Sequence, residues 1–176
     1  MQKDDMARNN AVDVPVASTF TSSPLRNRIR VELKAPISSV WALIGNLNRF
    51  PEYSFGLEKV EAKEDSSGKC TEYLCHFKPQ EEGRERILHR ELMRWYEPNR
   101  GFASMAEEGN AFGLTNSLTL VTFEPSKDGT IVTWDQYYDA GDLDMNKEVF
   151  DQALADIGEN LVRRFGGKLI ERYVEK

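Results

Sequence analysis

The chain has 176 residues, 40% of them apolar, with 23 Lys and Arg against 29 Asp and Glu for a net charge of −6. That length supports one domain with its own core, and the negative balance is the wrong sign for wrapping a phosphate backbone, so nucleic acid is not an expected partner. The longest apolar run is a handful of residues, far below the roughly 18–20 of a membrane span, so no stable membrane insertion is expected either.

Residues 1–23 are polar and small, show no sustained period, and read as a flexible N-terminal arm ahead of a single domain over 24–176. Behind Met1-Gln2-Lys3-Asp4-Asp5 there is no apolar stretch of the signal-peptide kind, and the expectation is a cytoplasmic protein. From Arg26 the residues alternate, Ile29, Val31 and Leu33 opposing Arg28, Arg30, Glu32 and Lys34, which predicts a half-buried strand. Pro36 suits a first helical turn, and Val40, Trp41, Leu43 and Ile44 recur at helical spacing until Gly45. Asn48 opens a second short helical piece, limited by Pro51.

Turn chemistry at Ser66-Ser67-Gly68, Glu81-Glu82-Gly83, Pro98-Asn99-Arg100-Gly101, Glu108-Gly109-Asn110 and Lys127-Asp128-Gly129 then separates about six strands, near 57–65, 69–78, 84–96, 101–107, 114–124 and 130–139. Connections this short favour antiparallel neighbours, so the middle of the chain reads as a meander. From about Asn146 to Val174, Phe150, Leu154, Ile157, Leu161, Phe165 and Leu169 mark one face of a long helix, with Asp144 or Asn146 as candidate caps. It carries Gly158, Gly166 and Gly167, each costing about 1 kcal/mol against Ala inside a helix. Gly158 lies on the apolar face, where a missing side chain either opens room for a ligand or lets a bulky strand residue approach.

The order of one strand, two short helices, six antiparallel strands and a long last helix is that of the helix-grip fold. Ala35-Pro36-Ile37-Ser38-Ser39-Val40-Trp41, Asn48-Arg49-Phe50-Pro51-Glu52-Tyr53, Val60-Glu61 and the late Asp128-Gly129-Thr130-Ile131-Val132-Thr133-Trp134 resemble the SRPBCC superfamily, which groups START-related lipid carriers, birch-pollen-allergen relatives and bacterial polyketide cyclase/dehydrase-like proteins. The resemblance implies an α+β fold: a curved seven-stranded antiparallel sheet gripping the last helix, with a cavity between them for a hydrophobic small-molecule ligand such as a lipid, quinone or polyketide. It implies no single chemistry.

Side-chain parity nominates the cavity walls. Charge on the opposite face turns Tyr73, Cys75 and Phe77 inward; four arginines at 84, 86, 90 and 94 leave Glu85, Ile87, His89, Glu91, Met93 and Trp95 for the inner side. Leu114, Asn116, Leu118 and Leu120 form the more apolar face of the next long strand, and Val132, Trp134, Gln136 and Tyr138 that of the last. The helix contributes Leu154, Ile157, Gly158, Leu161 and Phe165. An apolar lining with a few orienting polar groups is the usual composition of a small-molecule site, although any one of these aromatics could equally fill a core.

His89 and Glu91 stand two apart on one strand, hence on one face. Together they could act as base and acid on an enolisable carbonyl compound, as polyketide cyclisation or dehydration requires; they could also be core groups paired locally. No nucleophile elbow, phosphate-binding glycine loop or dinucleotide fingerprint is present, and no cofactor is expected. Cys70, Cys75, His76 and His89 have no metal-ligand spacing, so no metal site is expected, and the two cysteines, an odd number apart on a strand, should not bond each other. Three roles remain open: a binder or carrier of a hydrophobic molecule, a cyclase- or dehydratase-like enzyme, and a protein-interaction domain like the superfamily's chaperone activators. The sequence does not specify an oligomeric state.

Overall fold

The computed structural model of the chain describes residues 14–176. Alternation from Arg28 onward sets the inner face of β1 (Leu25–Leu33), with Ile29, Val31 and Leu33 buried. Pro36 precedes α1 (Ile37–Ile44), which buries Val40, Leu43 and Ile44 and stops at Gly45; a 3-10 turn over Leu47–Glu52 accommodates Pro51. The meander follows as β2 (Leu57–Glu64), β3 (Cys70–Phe77), β4 (Leu88–Glu97), β5 (Gly101–Ala106), β6 (Leu114–Pro125) and β7 (Thr130–Ala140), then α2 (Leu143–Phe165) and β8 (Gly167–Val174). The strands form one antiparallel sheet in the order β2-β3-β4-β5-β6-β7-β1-β8.

The sheet therefore has eight strands where seven were expected, because the last helix is shorter than its period predicts. Leu161, Phe165 and Leu169 keep a four-residue spacing across the break, yet Gly166 and Gly167 take φ of +76° and +119°, conformations closed to most L-residues. A Cβ at Gly167 would also collide with the carbonyl oxygen of Glu32, so this glycine lets the chain turn back against β1. Leu169 lands exposed on β8. At the other end Asp142, not Asp144 or Asn146, is the cap, its side chain accepting from Met145 N–H at 3.1 Å.

The core lies between the sheet and the helices, where Leu154, Ile157 and Leu161 of α2 meet β1 and β7 residues such as Ile29, Val31, Val132 and Trp134. A Cβ on Gly158 would sit 3.0 Å from Ile29 Cγ1 and 3.3 Å from Val31 Cγ1. Close approach of α2 to β1 is thus the reason for this glycine. A smaller cluster on the other face joins Ala103, Leu118 and Leu120 to Ala17, Phe20 and Trp95.

Residues 1–13 of the expected flexible arm lie outside the described residues. Its remainder is packed: Ala17–Thr19 form a 3-10 turn, and Thr21 and Ser23 are buried, their hydroxyls donating to Asn116 O and to Asp139 Oδ2 at 2.7 Å each. The domain's packing therefore begins before residue 24.

Candidate functional site

A cavity of about 110 Å³ opens between the concave face of the sheet and α2. Strand periodicity aims Tyr73, Cys75 and Phe77 of β3, His89 and Glu91 of β4, and Trp134 and Gln136 of β7 into it. Leu154 and Ile157 of α2 complete the expected part of the wall. Leu114, on the face chosen for β6, also lines it, while Phe50, Ser54, Leu57, Ser117, Thr119, Phe150 and Ala153 lie outside the expected set. Phe112, in the loop after β5, places its ring 5.4 Å from those of both Phe77 and His89 and 6.3 Å from that of Phe150.

The other expected lining residues lie elsewhere, for identifiable reasons. Ile87 precedes β4 and is exposed, as is Glu85. A register break between Met93 and Trp95 reverses the parity of β4: Met93 is half-buried against the core, Trp95 joins the outer cluster, and Tyr96 turns in to a tilted ring contact with Trp41. A bulge between Thr115 and Leu118 does the same to β6. Asn116 is the extra residue, at φ +50° and exposed; Ser117 and Thr119 face the cavity, while Leu118 and Leu120 face the outer cluster. Tyr138 is buried beyond the cavity, its ring 5.2 Å from Phe150 and its hydroxyl donating to Asn27 Oδ1 at 2.7 Å. Leu161 and Phe165 pack in the core further along α2, and Gly158 faces β1 rather than the cavity.

The polar end of the cavity is a connected network. His89 Nε2 is 2.7 Å from Glu91 Oε2, with both side chains at most 10% exposed. Ser104 Oγ donates to Glu91 Oε1 at 3.0 Å and lies 2.8 Å from Tyr73 Oη. Ser104 has one proton, which goes to the carboxylate, so the phenol of Tyr73 donates to Ser104. Burial and the nearby Glu91 charge hold the Tyr73 phenol well above its ordinary range, which keeps it a donor. Thr119 Oγ1 lies 3.1 Å from Gln136 Oε1 and 3.4 Å from Glu91 Oε1 and has one proton for the two. Cys75 stays a thiol, since burial and Glu91 push its ionisation far up. Both cysteines are free and buried.

Two polar atoms on the lining residues have no hydrogen-bond partner among the described residues, Nδ1 of His89 and Nε1 of Trp134; Tyr53 Oη nearby is a third buried atom without one. Buried polar groups are nearly always paired, so these atoms are exceptions within the core around the cavity. Ser104 and Thr119 are members of this network that no pattern announces: a single serine in Gly101–Ala106 looks like any strand serine, and Thr119 comes inward only after the β6 bulge. Among the described residues no group of three or more His, Cys, Asp or Glu is placed to hold a metal ion, and no helix is long and apolar enough to cross a membrane.

A family model described as polyketide cyclase/dehydrase and lipid transport matches residues 24–173. The fold is shared with a START superfamily protein from Mycobacterium smegmatis (TM-score 0.66, 12% identity, covering 81% of this chain and 97% of that one). It is shared also with XoxI from Bacillus cereus (TM-score 0.63, 16% identity, 80% and 95% covered) and with CV1439 from Chromobacterium violaceum (TM-score 0.61, 13% identity, 81% and 99% covered). No curated protein matches the chain in sequence. At these identities the structural likeness concerns the fold alone.

Proposed function

The chain belongs to the polyketide cyclase/dehydrase and lipid transport family within the SRPBCC superfamily, and on that premise we propose that it binds a compact hydrophobic or amphipathic small molecule between its sheet and its long helix. The observation that carries this reading is the cavity itself: apolar walls from Phe77, Phe150, Leu154, Ile157 and Trp134 around one buried polar network. At about 110 Å³ it is smaller than the roughly 300–1,000 Å³ of drug-sized ligand sites, which favours a ring-sized molecule over a two-chain lipid.

The test is native mass spectrometry of the protein purified from its own source, followed by denaturing extraction. The expected result is one apolar molecule per chain, lost on denaturation. A chain of bare mass that gains none after incubation with lipid, quinone and polyketide panels would overturn the reading and favour a role carried by the surface.

The buried pair at 2.7 Å favours a second reading, a dehydratase-like enzyme. His89 would take a proton from the carbon beside a carbonyl and return it to the β-hydroxyl, which leaves as water while the double bond forms. Glu91 would orient the imidazole and balance its charge during the transfer. Turnover on a β-hydroxy carbonyl substrate that falls by orders of magnitude in His89→Leu separates enzyme from carrier. Filling the Gly158 site does not, because that position faces β1.

A further inference from the structure

Helix α2 rests on β1, β8 and β7. Across the cavity from its residues Phe150, Leu154 and Ile157 stand Phe77 of β3 and His89 of β4. The cavity is therefore a cleft with two ends, and the chain closes them differently. At one end the 3-10 turn over Leu47–Glu52 is tied to α2 by polar bonds: Arg164 Nη2 donates to Glu52 Oε1 at 3.0 Å, and Asn160 Nδ2 to the carbonyl oxygen of Tyr53 at 3.1 Å. Phe50 and Tyr53 root this turn in the core, so opening there would pull two buried rings into water.

At the other end, about 10 Å back along α2 from Ile157 at Phe150, the span is one side chain. Phe112 does not line the cavity; from the loop between β5 and β6 its ring lies 5.4 Å from those of Phe77 and His89 and 6.3 Å from that of Phe150, joining the two sides of the cleft. The ring is half-buried, and Ala111 and Gly113 beside it are exposed. Gly113 has a φ of +65°, and a Cβ there would meet no atom within 4 Å. Asn110 braces the base of the loop, accepting from Leu114 N–H at 3.0 Å and donating to the carbonyl oxygens of Leu114 at 2.8 Å and Glu107 at 2.9 Å. The loop is thus firm at its base and unobstructed around Phe112. Individual ring contacts are weak and side-chain rotation is fast, so a swing of this one ring uncovers the end of the cleft with the fold undisturbed.

We infer that Phe112 is the door of the cavity: a small molecule enters and leaves between β3–β4 and α2 when this ring swings out, and the ring closes the cleft behind it. This rests on the reading of the cavity as a ligand site and adds how that site is entered. A door differs from a wall in its kinetics. Removing a door speeds entry and exit alike and leaves the equilibrium nearly as it was, whereas removing a wall weakens binding through faster exit alone.

The probe is fluorobenzene, whose affinity and exchange rates are read together by fluorine NMR in the wild type, Phe112→Ala, Phe112→Trp and Asn110→Ala, with melting curves establishing that each variant is folded. Phe112→Ala is expected to raise the association and dissociation rate constants together by about fivefold or more, with Kd within about threefold of the wild type. Phe112→Trp keeps a ring across the cleft and should exchange no faster than the wild type. Asn110→Ala loosens the base of the loop with the ring intact and should raise both rates by about twofold or more.

Wild-type rates in both Phe112→Ala and Asn110→Ala would overturn the door and leave the cavity reading standing. A looser Kd in Phe112→Ala with an unchanged association rate would do the same, since that is the mark of a wall. Binding by Phe112→Ala alone would also overturn it, because the site would then be the space the ring vacates. Binding by none of these chains would overturn the door together with the reading it rests on. The Asn110→Ala comparison decides even where Phe112→Ala fails to fold.

Discussion

His89 Nε2 and Glu91 Oε2 approach to 2.7 Å across a two-residue step of β4, and Ser104 of the neighbouring strand closes on the other carboxylate oxygen at 3.0 Å. The strand period puts the first two on one face, and pairing between β4 and β5 brings up the third. Because these groups are almost wholly buried and bonded to one another, the network is part of the fold as well as of the site.

The first prediction concerns that network. Glu91→Leu leaves a His89 N–H and the Ser104 hydroxyl without their acceptor, and each buried donor left unpaired costs about 1–3 kcal/mol. Glu91→Gln keeps an acceptor oxygen and the same shape, with an expected cost of about 1–2 kcal/mol. Urea unfolding measures both; equal costs would show that shape, not hydrogen bonding, is what Glu91 supplies.

Gly158 separates helix packing from the cavity. Its missing Cβ is where Ile29 comes within 3.0 Å and Val31 within 3.3 Å, so Gly158→Leu forces α2 away from β1 and is expected to cost about 1–3 kcal/mol or more. For Gly158→Ala the helical gain of about 1 kcal/mol is set against contacts that the end of the Ile29 side chain can partly relieve, and the net change should be small. Gly158→Ala should leave unchanged within twofold the affinity for the molecule recovered with the purified protein. A large loss of affinity in this variant would return Gly158 to the ligand site.

What could be read from the residues beforehand follows from where the strand period runs unbroken. Ile29-Val31-Leu33, Tyr73-Cys75-Phe77 and Trp134-Gln136 face where alternation puts them, and His89 and Glu91 meet as their spacing requires. Parity fails after each bulge, because one extra residue turns every later side chain over. Arg94 gives no compositional sign of that, and Asn116 only the faint one that asparagine tolerates positive φ. The helical period runs nine residues past the end of α2 because Leu169 of β8 continues the four-residue spacing of Leu161 and Phe165. Gly166-Gly167 was the stop signal, and its weight comes from Glu32, whose carbonyl leaves no room for a Cβ. Ser104 could not be anticipated, since its role depends on a partner from another strand.

The segment before β1 covers the outer face of the sheet. Phe20 and Ala17 pack on Ala103, Leu118 and Leu120. Phe20→Ala should cost about 1–2 kcal/mol, below a fully buried phenylalanine because the ring is half-buried. It should also speed proteolysis between residues 14 and 23 while leaving cavity binding unchanged. A proteolysis rate equal to that of the wild type would mean that the hydroxyls of Thr21 and Ser23 hold the segment without the ring.

The same segment carries an acid-sensitive tie. Ser23 Oγ donates to Asp139 Oδ2 at 2.7 Å and Arg26 pairs with its Oδ1 at 2.9 Å, while Arg26 also pairs with Glu175. These contacts, the Ser23 bond first, hold the Asp139 carboxyl below its ordinary value of 3.8. A carboxyl lowered in the folded state stabilises the fold fully above its unfolded value, and that contribution fades as pH falls through the lower folded one. Asp139→Asn removes the titration, so melting temperature followed from pH 6 to pH 2 should fall less steeply than in the wild type, the two curves converging at the acid end. Parallel curves over that range would show that Asp139 contributes nothing to the acid limb and that the tie is held by the Arg26–Glu175 pair alone.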